Sequence, residues 1–313
     1  MTISIPDLEQ RAALGWRAPE EERLGDWLLR AADGFTGRVN SALATGRPGC
    51  PLDQAARVVQ DWYEARGLPA MIAIPYPVGR PQDVAIDGFL AGLGWGVRAR
   101  TATVMTARAE QVARAATTVR AGEGAAGLAG GCSASMPMGA AMGGEMEAPA
   151  GVDMKGPIGV DMDPEPSDEW LALYHYGGQP SLPPIARQVL TSAPWQAFAS
   201  IRADGQTIAI GRVAAAADWA GLTAIEVAPG YRRRGLATVV TAGLAGLAAA
   251  QGAGHVYLQV EDDNEPARTL YRRIGFTAHH DYHYRVAPQC RSPGPAPGSA
   301  NRPAGPGRPG GCG

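Results

Sequence analysis

Residues 224–247 read AIEVAPGYRRRGLATVVTAGLAGL. An apolar run ends at Pro229 and gives way to a basic loop carrying Arg232, Arg233, Arg234 and Gly235. A helix follows, with Leu236, Val239, Val240, Leu244 and Leu247 recurring at helical spacing to form one buried stripe. A strand–loop–helix turn of this kind aims free backbone N–H groups and the positive end of the helix dipole at one spot. Gly235 lets the backbone approach a ligand closely, and Ala237 leaves that approach clear. The arginines add charge-assisted contacts. The chemistry is anion binding, suited to a pyrophosphate. Taken alone, a charge run at a helix start is more often a solvated face.

Further on, residues 257–285 read YLQVEDDNEPARTLYRRIGFTAHHDYHYR. Asn264, Ala267, Leu270, Tyr271, Gly275 and Phe276 make the pattern N-x-x-A-x-x-L-Y-x-x-x-G-F. Ala267, Leu270 and Tyr271 fall on one helical face by their spacing. The plain alternative is an amphipathic helix capped by Gly275.

These residues need a scaffold. Over residues 165–287 the patterning gives short helices at 168–176 and 184–191, then a hairpin of strands 197–202 and 207–213 around Asp204-Gly205. A strand at 222–228, a helix at 235–251, a strand at 255–260, a helix at 266–274 and a strand at 276–286 follow. An early hairpin followed by alternating strands and helices predicts an α/β unit, a mixed sheet with helices on both faces. Residues 1–108 form a second globular region, with strands at 27–32 and 38–43 about Asp33-Gly34, a helix from Pro51 to 66, a strand at 71–74, a helix at 83–93 and a strand at 100–107. Gly92, Gly94 and Gly96 end a helix instead of opening one, so they are not a dinucleotide fingerprint. Between the two regions, residues 109–164 are Ala/Gly-rich and hold Met136, Met138, Met142, Met146, Met154 and Met162, with Cys132 nearby. They read as a low-complexity tether, with Cu(I) binding by thioethers as the minor alternative. Residues 288–313 form a Pro/Gly/Arg/Ser tail with no apolar periodicity, which predicts disorder.

The R-x-x-G-x-A loop, a helix, a strand and then N-x-x-A-x-x-L-Y-x-x-x-G-F closely resemble the GNAT acetyltransferases over residues 165–287. The resemblance implies the GNAT fold, whose sheet is mixed and mostly antiparallel, and acetyl-CoA as co-substrate. The backbone amides from Arg232 through Arg233, Arg234, Gly235 and Leu236 to Ala237 would hold the pyrophosphate. The backbone around Val227 would polarise the thioester carbonyl. Asn264 would contact the pantetheine arm or hold a splayed strand, with Ala267 beside it. Tyr271 would protonate the departing thiolate. Transfer would be direct, with a general base relieving the attacking amine of its proton and backbone donors stabilising the oxyanion. Glu226, on the strand before the loop, is the first candidate base. In some relatives a glutamate stands five residues before the asparagine, but here that residue is Gln259, which cannot accept the proton. Glu261, acting through water, is the second candidate.

On less specific words, LLRAADGFTGRVNS, LAGLGWGVRARTATVMTA and HHDYHYR, the whole chain resembles a two-domain GNAT group of high-GC bacteria that includes a non-classical N-acetylglutamate synthase. That implies a degenerate GNAT-like domain in residues 1–108 ahead of the catalytic one. Arg30, Arg38 and Asn40 would then face the acceptor, since arginines suit dicarboxylates such as L-glutamate; the plainer reading makes them strand surface residues. The acceptor stays open between an amino acid, a protein N-terminus and a small-molecule amine. A non-catalytic acyl-CoA-binding regulator is the competing function, disfavoured by the intact loop and Tyr271.

Alternation on the last strand sets His279, Asp281 and His283 on one face and His280, Tyr282 and Tyr284 on the other. A metal site there is the minor reading, and no metal is expected. The chain has 313 residues, a formal net charge of -2 and a single lysine, Lys155, so no basic field exists to hold nucleic acid or an anionic membrane. Cys50, Cys132, Cys290 and Cys312 are scattered without a C-x-x-C pair, and no apolar signal core opens the sequence. The longest apolar run, residues 235–250, is too short to span a bilayer. Together these predict a cytoplasmic protein. Oligomeric state leaves no mark on the sequence.

Overall fold

The computed structural model describes residues 3–98, 101–122, 159–175 and 181–288. Helix α1 (Ile5–Gly15) opens the chain, its first turn capped by the Ser4 hydroxyl, which accepts from the Asp7 N–H at 3.2 Å. Strands β1 (Glu20–Leu24), β2 (Trp27–Ala31) and β3 (Ala42–Leu43) follow, then α2 (Leu52–Glu64), β4 (Met71–Tyr76), α3 (Ala85–Gly92), β5 (Gly96–Val97) and β6 (Ala102–Arg108). Helix α4 (Ala109–Gly122) continues directly from β6. Beyond it come β7 (Val160–Asp163), α5 (Asp168–Leu173), α6 (Ile185–Leu190), β8 (Trp195–Ala203), β9 (Gln206–Ala216), β10 (Trp219–Val227), α7 (Leu236–Ala250), β11 (His255–Glu261), α8 (Glu265–Arg273) and β12 (Thr277–Val286).

Among the described residues the strands join into one 12-stranded sheet, ordered β1-β2-β3-β4-β12-β6-β11-β10-β9-β8-β7, with β5 paired to β12 off that path. Most neighbours are antiparallel; β3–β4 and β10–β11 are parallel. The order crosses the two halves of the chain. Strand β6 sits between β11 and β12, while β12 sits between β6 and β4. Each half thus completes its sheet with a strand from the other. Helices cover both faces. The α7 stripe of Val240, Leu244 and Leu247 packs against Val213, Leu222, Val256 and Leu258, with Val112 of α4 alongside. On the opposite face, α1 packs Leu8 and Ala12 against Val104 and Tyr257, and α5 and α6 pack Trp170, Val189 and Leu190 against Phe198 and Ile210.

Three expectations need correction. The segment read as a tether over 109–164 begins with a helix and ends with a strand. Alanine is the strongest helix former, so Ala-rich composition reads as low complexity while it favours α4. Met162, counted among the tether methionines, is buried in β7, where it pairs with Ala199. The strand expected at 38–43 shrinks to Ala42–Leu43, because Asn40 organises the preceding residues into a loop, described below. The other linker methionines, Cys132 and residues 289–313 lie outside the described residues, as does Tyr176.

Candidate active site

The parallel ladder of β10 and β11 is short: Trp219, Ala220 and Gly221 pair with His255, Val256 and Tyr257, and there the pairing stops. Both strands run on, β10 to Val227 and β11 to Glu261, so they splay. The cause lies in β10. Its ladder with β9 is broken between Thr223 and Glu226, where Ala224 adopts a positive φ of 54°. Beyond the bulge the Ala228 N–H donates to the Ile208 carbonyl at 2.9 Å. Antiparallel alternation then turns the Val227 N–H and carbonyl away from β9 and into the opening. The Val227 carbonyl already accepts from Arg232 Nε at 3.2 Å.

At the mouth of this opening stands the basic loop. A short 3-10 turn, Pro229–Tyr231, leads into it, and Arg233 is left-handed with φ 61°. Gly235 caps α7 in the left-handed region, φ 75°, where a β-carbon is strained. It has no side chain to cap with and the first turn holds no acid, so the leading N–H groups of Leu236, Ala237 and Thr238 keep their dipolar charge for a ligand. Arg232, Arg233 and Arg234 are exposed, with Arg234 stacked 5.2 Å from the Tyr231 ring. This donor set fits the pyrophosphate of acetyl-CoA.

Asn264 caps α8: its Oδ1 accepts from the Ala267 N–H at 3.2 Å. Of the two contacts expected of it, the one the fold displays is local. Ala267, Leu270 and Tyr271 line the inner face of α8 and pack on the α7 core. The Tyr271 ring meets Phe276 edge-on at 5.7 Å, and burial pushes its hydroxyl up to about 12.

Glu226 lies on the other face of the sheet. Its cross-strand neighbour Ile210 packs with Trp16 and Phe198, and directly opposed residues share a face. The backbone N–H of His175 donates to both Glu226 oxygens, at 3.1 and 3.2 Å. Burial lifts the Glu226 carboxyl above the ordinary glutamate value, and the His175 hydrogen bond and charge, with Arg232, offset this only in part. Tyr257, Gln259 and Glu261 follow at alternate positions of β11 on the same side as α1. The Tyr282 hydroxyl donates to Gln259 Oε1 at 3.3 Å, so Gln259 serves as a hydrogen-bond acceptor for β12. Glu261, at the exposed end of β11, pairs with Ala102. Gly221 makes room for the Tyr257 ring, since a β-carbon there would stand 2.6 Å from Tyr257 Cζ.

Of the three residues expected on an N-terminal strand surface, Arg30 and Asn40 are buried and Arg38 is half-buried. Arg30 is 2% exposed and donates from Nε to the Ser41 carbonyl at 3.3 Å. Asn40 is buried and ties a loop together: its Oδ1 accepts from the Ala32 and Gly34 N–H groups, and its Nδ2 donates to the Phe35 and Thr36 carbonyls. The histidines also depart from simple alternation. A bulge between Ala278 and His280 puts His279 and His280 on the α1 side together, with His279 Nε2 2.9 Å from the Ile3 carbonyl and His280 Nε2 2.8 Å from Glu9. His283 faces the other way, 2.6 Å from Asp87, which Arg285 also clasps. Asp281 accepts from Thr103 and from the Gly79 N–H. These side chains serve the strand exchange, holding β12 to α1, α3 and β6.

Sequence reasoning missed Trp16, Tyr174, His175 and Tyr257 as walls of this face. The alternation of Tyr257, Gln259 and Glu261 was a usable signal; nothing local marks Trp16 or His175.

A splayed parallel pair, a bulged strand beside it and a basic loop opening a helix define the GNAT class of acetyltransferases. A solved tandem GNAT protein from the clavulanic acid biosynthesis pathway shares the fold, with a TM-score of 0.51 at 14% identity over 90% of this chain and 88% of that one. The family model described as "Probable histone acetyltransferase Rv0428c C-terminal" matches residues 2–87 and 133–285, and the chain belongs to that family. Among curated relatives, the uncharacterized N-acetyltransferase YobR of Bacillus subtilis (strain 168) is 24% identical over 285 residues, 90% of this chain and 98% of the relative. Streptothricin acetyltransferase of Streptomyces lavendulae is 41% identical over 81 residues, which span 25% of this chain and 43% of that enzyme.

Proposed function

We propose that the protein moves an acetyl group from acetyl-CoA to a primary amine by direct attack, with no acyl-enzyme. The observation that carries this is the opening between β10 and β11, with the Gly235 loop at its mouth and Glu226 beside it. The amides from Arg232 to Ala237 hold the pyrophosphate, and the arginines neutralise it. The Val227 N–H donates to the thioester carbonyl and to the oxyanion that develops on it. Glu226 takes the proton of the attacking amine, and burial makes it a stronger base than an ordinary glutamate. Glu261 would act through water if Glu226 does not. Tyr271 faces the departing sulfur, and Asn264 fixes α8 so that it can.

The favoured acceptor is an amino acid such as L-glutamate; protein N-termini and small-molecule amines are the others. We read the two halves as a degenerate and a catalytic GNAT unit, a reading the tandem relative supports. The cytoplasm stays the expected location, and no described helix is long and apolar enough to cross a membrane.

The test is thiol release from acetyl-CoA against L-amino acids, peptides and aminoglycosides. Turnover with one class supports the reading and names the acceptor. Thermal stabilisation by acetyl-CoA without turnover on any amine overturns catalysis in favour of a CoA-binding regulator.

A further inference from the structure

The face that carries Glu226 also holds two buried arginines, Arg30 and Arg212, and a half-buried one, Arg38. Arg30, Arg38 and Arg212 all point into it, and among the described residues no carboxylate is ion-paired with any of them. Two are satisfied by backbone carbonyls: Arg30 by Ser41, and Arg212 by Leu190 at 2.6 Å and Gly15 at 3.1 Å. Arg38 is different. Its Nε is buried and has no hydrogen-bond partner. Its guanidinium lies 5.3 Å from the Trp16 ring, whose centre Arg212 approaches to 5.1 Å. Around it gather the phenols of Tyr282, Tyr284, Tyr257 and Tyr174. The acids on this side of the sheet are otherwise engaged, Glu9 with His280 and Glu226 with the His175 N–H.

A buried guanidinium N–H without an acceptor is costly, and an arriving anion would satisfy it. The surroundings are built to hold it in place. Arg38 sits on the loop that Asn40 ties together, and that loop includes Asp33 and Thr36 at positive φ, 46° and 58°. The tyrosines come from the other half of the chain, so the site exists only where the two halves meet.

We propose that Arg38 is the seat of the acceptor's carboxylate, and that the acceptors are free amino acids. This rests on the β10–β11 opening being the site of acetyl transfer. An amino acid presents its ammonium to Glu226 and its carboxylate to Arg38. Polycationic amines, the chemistry of an aminoglycoside, meet Arg38 beside the buried Arg30 and Arg212 and are excluded.

The experiment is calorimetric titration of the full chain, saturated with CoA, with the twenty common L-amino acids, followed by the α-carboxamides of those that bind. The expected result is binding of one or a few acids, with their amides weaker by roughly ten- to a hundredfold. Arg38→Gln should remove that acid-over-amide preference while leaving CoA affinity and the unfolding midpoint close to wild type. Arg38→Lys should retain the preference at reduced affinity, which a merely structural arginine would not do. Equal binding of acid and amide, no binding of any amino acid, or an undiminished preference in Arg38→Gln would each overturn the assignment. Turnover is read separately: a protein that binds acids through Arg38 yet transfers no acetyl group refutes catalysis and supports this seat.

Discussion

Tyr271→Phe removes one hydroxyl and leaves the packing against Phe276 intact. Burial pushes that hydroxyl up to about 12. Its expected partner is the thiolate leaving the thioester, taken at the cysteine reference pKa of about 8.5. Complete proton transfer from phenol to thiolate would therefore run uphill by about 3.5 pKa units, or about 5 kcal/mol. On the proposed mechanism Tyr271 would then act as a hydrogen-bond donor to the developing thiolate and keep its proton through the transition state. One hydrogen bond to a charged acceptor contributes about 1.5–3 kcal/mol. Loss of the hydroxyl should then lower kcat by roughly ten- to 150-fold, at the lower edge of what a full general acid supplies. Because the bond strengthens only as charge develops on sulfur, KM for acetyl-CoA should change by less than about twofold. The assay is continuous thiol release from acetyl-CoA between about pH 6 and 10, where a phenol of this kind does not ionise. An unchanged kcat would refute the reasoning. So would an alkaline limb below about pH 10 that is present in the wild type and absent in Tyr271→Phe.

Glu226→Gln should lower kcat by roughly 10²–10⁴-fold and abolish the acid limb of kcat/KM. In the wild type that limb lies above the ordinary glutamate value, because burial raises the carboxyl and its protonated form cannot accept the amine's proton. A limb retained in the variant would move the base to Glu261. Gly235→Glu forces a β-carbon onto φ 75° and sets a carboxylate among the amides at the head of α7, so calorimetry should detect no CoA binding; affinity within about tenfold of wild type would refute the cradle. Asp87→Asn should destabilise the fold by about 3 kcal/mol in urea unfolding, since Arg285 and His283 lose a carboxylate that is 11% exposed. Burial alone would raise the Asp87 carboxyl, but hydrogen bonds from Arg285 and His283 hold it below the ordinary aspartate value. That stabilisation is complete above the unfolded aspartate pKa of about 3.9 and is lost as pH falls through the depressed folded value, so acid unfolding should be less steep in the variant.

The C-terminal half was legible in the sequence because its signals are local. The loop before Leu236, the Asn264 cap and the inner face of α8 are each set by neighbours within one or two helical turns. The residues of β6 and β12 were legible as strands, but their partners were not. A strand pattern reports burial and alternation, and it is silent about which edge it fills. Arg38 escaped for a related reason. Its neighbours Trp16, Tyr174, Tyr257, Tyr282 and Tyr284 are brought to it by α1 and by the strand exchange, so an apparent surface arginine became a half-buried one. His279 was placed on the wrong face because one bulge, between Ala278 and His280, resets the alternation.

The interleaving of β6 and β12 also bears on biosynthesis. During translation β4 leaves the ribosome some two hundred residues before the strand that pairs with it, Asp281–Val286 opposite Met71–Tyr76. Until then the N-terminal half carries an open, apolar edge rich in Met71, Ile72 and Ile74, the kind of edge that recruits foreign strands. Nascent chains stalled before β12 should therefore aggregate or engage chaperones, and the two halves expressed as separate polypeptides should become soluble only when both are made together.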